Sequence, residues 1–409
     1  MPFAIAFFIR VYNSLIQVIF LLFISKVLTL TQFGIYSGFI IFLGYFTQIG
    51  RFSIMSHLLR KISTSNKSNQ IKILYQNWLF FLITIPIACL ISLPLFKLGF
   101  ISNNFFVYFI LLVFLTCFST QLENFAMGTR RPLISTLNIT LRNLWMPVLI
   151  IFKLVFKNEI NLDIIFRLMI SSEIISISFN LIMNQYIGLN PKKIYPFDIK
   201  LFKESIKIGF VHTIINVSSL LFVSNQRIFL ELFSQSSDVG IFQFYFFICT
   251  GIPNLLEATL YSFLLPNLIV KNQPKQNQII KSSFKEKFYL LSFSSLFLLI
   301  TYYLIDFIIL FTGKSELLDF KNNYLFIAIY ALLHINFRIK FMNLYSANRD
   351  YTLLMVQLIN TSFSILVSFL LVRNFNILGA SISLVIAGLF ENFMINLNLN
   401  QLKLKKEFI

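Results

Sequence analysis

Twelve apolar stretches, each about long enough to cross a bilayer, divide this chain of 409 residues, and no polar domain interrupts them. A bilayer-spanning helix needs roughly 20 predominantly apolar residues at 1.5 Å rise each. The stretches fall near 3–28, 35–59, 78–97, 105–123, 133–156, 162–187, 206–230, 239–270, 288–311, 324–342, 351–372 and 377–399. Composition agrees: 57% of residues are hydrophobic, 12% are charged, and mean hydropathy is +0.78. A soluble core of this length has no room for so much apolar surface, so the chain reads as an all-α integral membrane protein. The absence of a basic region before the first stretch makes that stretch an uncleaved anchor.

The net charge of +18 does not signal nucleic acid, because the basic residues gather in short loops and no basic-aromatic recognition motif occurs. Counted on alternate sides, 23 Lys and Arg fall on the loops after even-numbered stretches and on the C-terminal tail. Only 8 fall on the loops and flanks after odd-numbered ones, with Arg10, Arg142 and Arg167 left inside spans. The positive-inside rule then places both termini in the cytoplasm. Cys89, Cys117 and Cys249 all lie within apolar stretches and lack ligand spacing, so no metal site is expected. No Gly-rich phosphate loop and no nucleophile–base arrangement is visible either, and no catalytic residue is assigned.

The chain repeats. Gln32-Phe-Gly-Ile-Tyr36 follows the first stretch and Asp238-Val-Gly-Ile-Phe242 follows the seventh, with Gly34 and Gly240 separated by 206 positions. Both halves start on the same side, so the repeat is parallel. The expected organisation is an N-terminal six-helix bundle over 1–190, a cytoplasmic amphipathic linker over 191–205, and a C-terminal six-helix bundle over 206–409. In the linker region Lys200, Lys203 and Lys207 share one helical face and Ile199, Phe202 and Ile206 another, the pattern of a segment resting at the headgroups. Pro253 and Pro266 are expected to kink the eighth span.

Several spans carry polar stripes on one helical face. Arg10, Asn13, Ser14 and Gln17 share a sector of the first, and Thr116, Ser119, Thr120 and Glu123 of the fourth. His212, Asn216 and Ser219 align in the seventh. Gln243, Thr250, Asn254, Glu257 and Tyr261 align in the eighth, and Gln357, Asn360, Thr361, Ser364 and Ser368 in the eleventh. For the uncharged members, hydrogen bonding between helices is the simpler reading. An ionisable group at the bilayer centre costs about 2.5–3.5 kcal/mol on insertion scales, so the charged members are expected to face a wet cavity or a partner.

With Leu30-Thr-Gln-Phe-Gly-Ile-Tyr-Ser37, Gly50-Arg51 leading to His57-Leu-Leu-Arg-Lys61, Glu123-Asn-Phe-Ala-Met-Gly-Thr-Arg-Arg-Pro132, Ser237-Asp-Val-Gly-Ile-Phe242 and Leu378-Gly-Ala-Ser-Ile-Ser383, the chain resembles the polysaccharide lipid-carrier flippases. These are the O-antigen (Wzx-type) branch of the multidrug/oligosaccharidyl-lipid/polysaccharide exporter superfamily. The resemblance implies about twelve transmembrane helices in two six-helix bundles around a central cavity. It also implies a bacterial inner-membrane protein that moves an undecaprenyl-pyrophosphate-linked O-antigen or capsule unit from the cytoplasmic to the periplasmic leaflet. Membrane lipid and a complex with an O-antigen polymerase and chain-length regulator are the expected partners. No cofactor is expected beyond a proton or sodium gradient.

A pyrophosphate needs cations inside the membrane, and guanidinium suits it through forked, charge-assisted hydrogen bonds. Arg10, Arg142 and Arg338 are the expected headgroup site, with Arg51 at its cytoplasmic entrance and Asn13 and His212 assisting. Arg167, towards the other end of the sixth span, is expected to receive the group after rearrangement. Glu257, Glu391 and Glu173 are the candidates for ion coupling, although each of them has the simpler role of neutralising an arginine. Asn254, Tyr261 and Asn392 are candidates for sugar contact. Two alternatives stand beside this one. An O-antigen polymerase or ligase needs a long periplasmic loop carrying catalytic Arg or His, which the short odd-numbered loops do not supply. A multidrug exporter of the same superfamily would favour acidic groups for cationic drugs.

Overall fold

The computed structural model describes residues 2–52, 62, 65–129, 131–156, 159–186, 198–251 and 284–407. Among them there is no strand. The helices are α1 (Pro2–Val27), α2 (Leu30–Arg51), α3 (Lys67–Lys97), α4 (Phe106–Gly128), α5 (Pro132–Arg142), α6 (Trp145–Phe156), α7 (Leu162–Tyr186) and α8 (Ile199–Phe233). They continue with α9 (236–251), α10 (Phe284–Thr312), α11 (Asn322–Ser346) and α12 (Asp350–Glu407). Within the described residues each of the twelve apolar stretches maps onto helix, the second being described only to Arg51 and Phe52. The fifth is split between α5 and α6, and the eleventh and twelfth are the two arms of α12. Of the eighth only the first part is described, and Pro253 and Pro266 lie outside the described residues.

The helix ends follow local chemistry. Thr29 and Gln32 cap α2 reciprocally: the Thr29 amide donates to Gln32 Oε1 and the Gln32 amide to Thr29 Oγ1, both at 3.2 Å. That is a capping box, which satisfies two amides a helix start would otherwise leave open. The side chain of Asn66 caps α3 by accepting from the Asn69 amide at 3.1 Å. The split after Arg142 puts Pro147 in the first turn of α6, where its missing N–H leaves no intrahelical bond unmade. Asn376, with φ 47° and ψ −125°, breaks α12 between its arms. The arms then approach so closely that a methyl group on Gly379 would collide with the Leu371 carbonyl oxygen.

Among the described residues, eight helices are long and apolar enough to cross a membrane, the one at Asp350–Leu399 being long enough to do so twice. The burial pattern is that of a protein dissolved in hydrocarbon. Large apolar side chains point outward, among them Leu82, Leu90, Leu154, Tyr303, Phe307 and Leu310, all more than 60% exposed. Polar ones point inward, including Asn138, Asn180, Gln226, Asn360 and Ser383, all fully buried. With lipid outside, apolar surface gains nothing by burial, and polar groups find partners only against other helices. The chain is a multi-pass membrane protein.

Two compact units result. One comprises Met1–Phe20 with Gly38–Val217, the other Leu21–Ser37 with Ser218–Ile409. In the first unit, Phe39 stacks on Phe166 at 4.0 Å and meets Phe109 edge-on at 5.4 Å. In the second, Phe363 stacks on Phe390 at 4.0 Å. The polar stripe on the first arm of α12 faces α8. Asn225 donates to Ser364 Oγ at 2.8 Å, Gln226 to Ser368 Oγ at 3.2 Å, and Thr361 to the Ser218 carbonyl at 2.9 Å. Those uncharged members are interhelical bonds, worth about 0.6 kcal/mol each in a membrane.

The part of the expected linker within the described residues, from Asp198, runs without interruption into α8. That helix of 35 residues is about 52 Å long, beyond the ~30 Å hydrocarbon core. Its first turns are held to α3 by a Lys72–Asp198 ion pair at 2.9 Å and by Phe202 against Phe80.

Candidate functional site

The polar stripe of α4 meets α5 and α7 in the first unit, and there one arginine is held between two acids. Arg142 is the last residue of α5, just before the break that precedes α6. Its Nη1 donates to Glu123 Oε2 at 3.0 Å and its Nε to Glu173 Oε1 at 3.2 Å. Glu173 is gripped from its other side: Thr116 Oγ1 donates to Oε1 at 3.0 Å and Ser119 Oγ to Oε2. Asn138 anchors the scaffold by donating to the Ser119 carbonyl at 3.0 Å, while Ser176 donates to the Asn138 side-chain oxygen. The Arg142 side chain keeps about a fifth of its surface exposed, at 21%, against 13% for Glu123 and 9% for Glu173.

Arg51, at the end of α2, lies within electrostatic reach of Arg142 and Glu123. Its Nε donates to the Thr47 carbonyl at 3.2 Å. Two cations and two anions thus balance within electrostatic reach of one another. Close packing fixes this corner: Gly50 lies against Cys117 and Ala88, and Thr84 Oγ1 donates to the Gly50 carbonyl at 2.6 Å.

The other expected residues are distributed as follows. Asn13 is buried and donates to Thr140 Oγ1 at 2.9 Å, tying α1 to α5. His212 is buried in α8. Arg167 is exposed on α7, its Nε donating to the Tyr108 hydroxyl at 3.1 Å. Asn13, Arg51, Arg142, Arg167 and His212 belong to the first unit and Arg338 to the second, where its guanidinium lies over the Phe341 ring at 5.4 Å. The Arg10 side chain, Asn254, Glu257 and Tyr261 lie outside the described residues.

A second polar cluster joins α11 to the second arm of α12. Glu391, 1% exposed, lies 3.6 Å from His334 Nδ1, and that nitrogen is 3.4 Å from the Tyr330 hydroxyl. The next residue, Asn392, accepts from Asn336 at 2.6 Å and from Lys340 at 3.3 Å, and donates to the Leu333 carbonyl at 2.8 Å. Gly388 makes the approach possible, since a methyl group there would stand 3.1 Å from the Tyr330 ring.

Two residues of interest escape a reading by pattern. His334 stands four positions after Tyr330 and four before Arg338, a spacing that places all three on one face of α11. Arg227 counts by sequence with the flank of the seventh span. In the structure it is 8% exposed, with Nη1 donating to Gln243 at 2.6 Å and its guanidinium over the Phe246 ring at 4.7 Å. Its nearness to the end of an apolar stretch concealed it.

No protein-family model matches the chain, and no curated protein matches it in sequence. Solved structures do. A mutant of the Vibrio cholerae MATE transporter VcmN superposes with a TM-score of 0.65 at 12% identity, over 98% of this chain and 97% of that one. An inward-facing multidrug resistance MATE family transporter of the MOP superfamily gives 0.66 at 12% identity, over 97% and 99%. The lipid II flippase MurJ in an inward closed conformation gives 0.63 at 14% identity, over 97% and 87%. The fold is therefore the MATE/MurJ transporter fold of about twelve helices, the fold of transporters and a flippase rather than of a soluble enzyme. At these identities the likeness speaks for the fold alone.

Proposed function

We propose that the protein is a flippase that carries an undecaprenyl-pyrophosphate-linked oligosaccharide, an O-antigen or capsule unit, from the cytoplasmic to the periplasmic leaflet by alternating access. The observation that carries this reading is Arg142, an intramembrane arginine whose guanidinium is held by two carboxylates. Carboxylate and phosphate oxygens compete for the same forked donors. The pyrophosphate displaces Glu123 or Glu173 from Arg142, Arg51 adds a second positive charge, and the lipid tail stays in the bilayer. The MurJ likeness supports a lipid-linked substrate, since that neighbour is named for one.

The same exchange offers a coupling step. An ionised carboxylate stripped of its guanidinium in a low-dielectric interior is costly, and binding a proton or sodium ion removes that cost. Glu173 is the coupling group in this scheme, and the Glu391–His334 pair is a second candidate. Both termini lie in the cytoplasm of the inner membrane, on the strength of the basic-residue bias. The polymerase or ligase alternative is set aside because the structural neighbours named above are transporters and a flippase.

Multidrug export is the second reading, favoured by the two acids beside Arg142 and by the MATE neighbours. Complementation of a flippase-null bacterium separates the two. If lipid-linked single units that pile up on the cytoplasmic leaflet disappear when this gene is supplied, the flippase reading holds. Restored tolerance to cationic dyes without any relief of that pile-up supports drug export instead.

A further inference from the structure

Arg167 stands apart from the Arg142 cluster, on the exposed side of α7 in the first unit. Its surroundings change character along the helix axis. Before it the chain is polar: Asn161 caps α7 by accepting from the Ile164 amide at 3.0 Å, Asp163 follows, and Asn103 and Asn104 are exposed just before α4. Beyond it the exposed surface is apolar, with Leu111 and Phe114 on α4 and Ile174 and Ile175 on α7. Arg167 therefore lies where hydrocarbon gives way to headgroups, a level that Tyr and Arg both favour.

A tyrosine fixes the side chain there. Arg167 Nε donates to the Tyr108 hydroxyl at 3.1 Å, and the Tyr108 ring lies against the buried Phe166 at 6.0 Å. Nη1 and Nη2 make no hydrogen bond within the described residues. One edge of the guanidinium is thus anchored to the core, and the paired donors of the other are left to a phosphate, whose oxygens match that fork. The two helices run parallel, Tyr108 meeting Arg167 and Thr116 meeting Glu173. Leu111 and Leu115 of α4 are then level with Ile170 and Ile174 of α7. Leu111 and Ile174 are 43% and 49% exposed, an apolar shelf directly below the guanidinium.

Charge selects the phosphate. Asp163, one turn before Arg167, lies within its electrostatic reach and offsets part of its charge. One guanidinium so placed matches a single negative charge, that of a phosphodiester, whereas a pyrophosphate carries more charge than this site balances. We propose that Arg167, Tyr108 and the shelf form a seat for one phosphodiester membrane lipid. Nη1 and Nη2 take the phosphate, Tyr108 positions the fork, and an acyl chain runs along Leu111 and Ile174. With the topology argued from the basic residues, the seat faces the periplasmic leaflet. The bound lipid bridges α4 and α7, the helices that carry Glu123 and Glu173, and so braces the scaffold of the Arg142 cluster. It does this whatever the protein transports.

The test is native mass spectrometry of the full chain in detergent, with dioleoylphosphatidylglycerol as the probe. The wild type should retain it in preference to dioleoylglycerol, which has the same tails and no phosphate. Arg167→Ala should weaken the tightest phosphatidylglycerol binding by about tenfold or more, the loss expected of a charge-assisted hydrogen bond. Arg167→Lys should recover only part, because an ammonium has no fork. Tyr108→Phe keeps the charge and removes only the anchor, so binding should weaken by about threefold. Dioleoylglycerol binding should be the same in all of them. Equal phosphatidylglycerol affinity in the wild type and Arg167→Ala overturns the seat. A loss in Arg167→Ala with none in Tyr108→Phe leaves a snorkelling cation and overturns it too. Farnesyl pyrophosphate displacing the probe at a lower concentration than phosphatidylglycerol itself would assign the site to the carrier instead. Should Arg167→Ala fail to insert, the conservative Tyr108→Phe variant alone decides.

Discussion

Removing the Arg142 guanidinium strands Glu123 and Glu173 together in a low-dielectric interior. Breaking a buried ion pair from one side costs about 3–5 kcal/mol, chiefly because the remaining charge is uncompensated. Arg142→Ala should therefore lower the detergent-solubilised melting temperature, and Glu173→Gln in the same chain should recover part of the loss. A coupling energy of about 0.5–3 kcal/mol in the double-mutant cycle is the expected size for contacting residues. Strict additivity would show that the pair seen at 3.2 Å contributes nothing. Arg142→Lys separates charge from shape: one ammonium replaces a fork that binds two carboxylates at once, so export should fall by about tenfold or more even where stability is kept. At the second cluster, Glu391→Gln should weaken the dependence of transport on a proton gradient if the His334 pair couples, and leave it untouched if the pair only joins α11 to α12.

At the level of the helices, the loop after α10 gives a pH prediction. Burial lowers the Lys314 ammonium from its ordinary value to about 8, with Glu316 pulling weakly the other way. A lysine lowered in the folded protein binds fewer protons there than in the unfolded chain, so the fold gains stability as pH rises from about 8 towards the ordinary lysine value. The melting temperature of the detergent-solubilised protein should carry that rising contribution. With Lys314→Met the contribution should vanish. The sequence revealed some of this architecture and concealed the rest for physical reasons. Apolar stretches announce spans because lipid demands about 20 residues each, and the Thr116–Glu123 stripe announced a polar face because a helix repeats every three to four positions. The break at Arg142–Trp145 stayed hidden, since Pro147 within an apolar run looks the same whether it kinks a helix or starts one. The pairing of Arg142 with Glu123 and Glu173 joins three helices across 19 and 31 positions, which no pattern within one helix encodes. Gly34 and Gly240 were legible as a repeat but not as neighbours.

On the scale of the whole molecule, the exterior is as apolar as the interior. Leu154 and Phe307 face outward while Phe39 and Phe166 pack inside, and buried Asn, Gln, Ser and paired charges join the helices. Such a body tolerates a charged centre only where partners are supplied, and the Arg142 cluster is the described site where two acids and a second arginine supply them. The account expects that cluster to bind the anionic group of a lipid-linked sugar and to pass it across the bilayer. The most direct test reconstitutes the protein in liposomes with undecaprenyl-pyrophosphate-linked oligosaccharide and measures how much sugar becomes accessible on the far leaflet. The wild-type chain should raise that fraction above empty liposomes, and Arg142→Ala should return it to the background. An inserted, folded wild-type chain that moves no lipid-linked sugar, or an Arg142→Ala chain that moves it at the wild-type rate, would contradict the account.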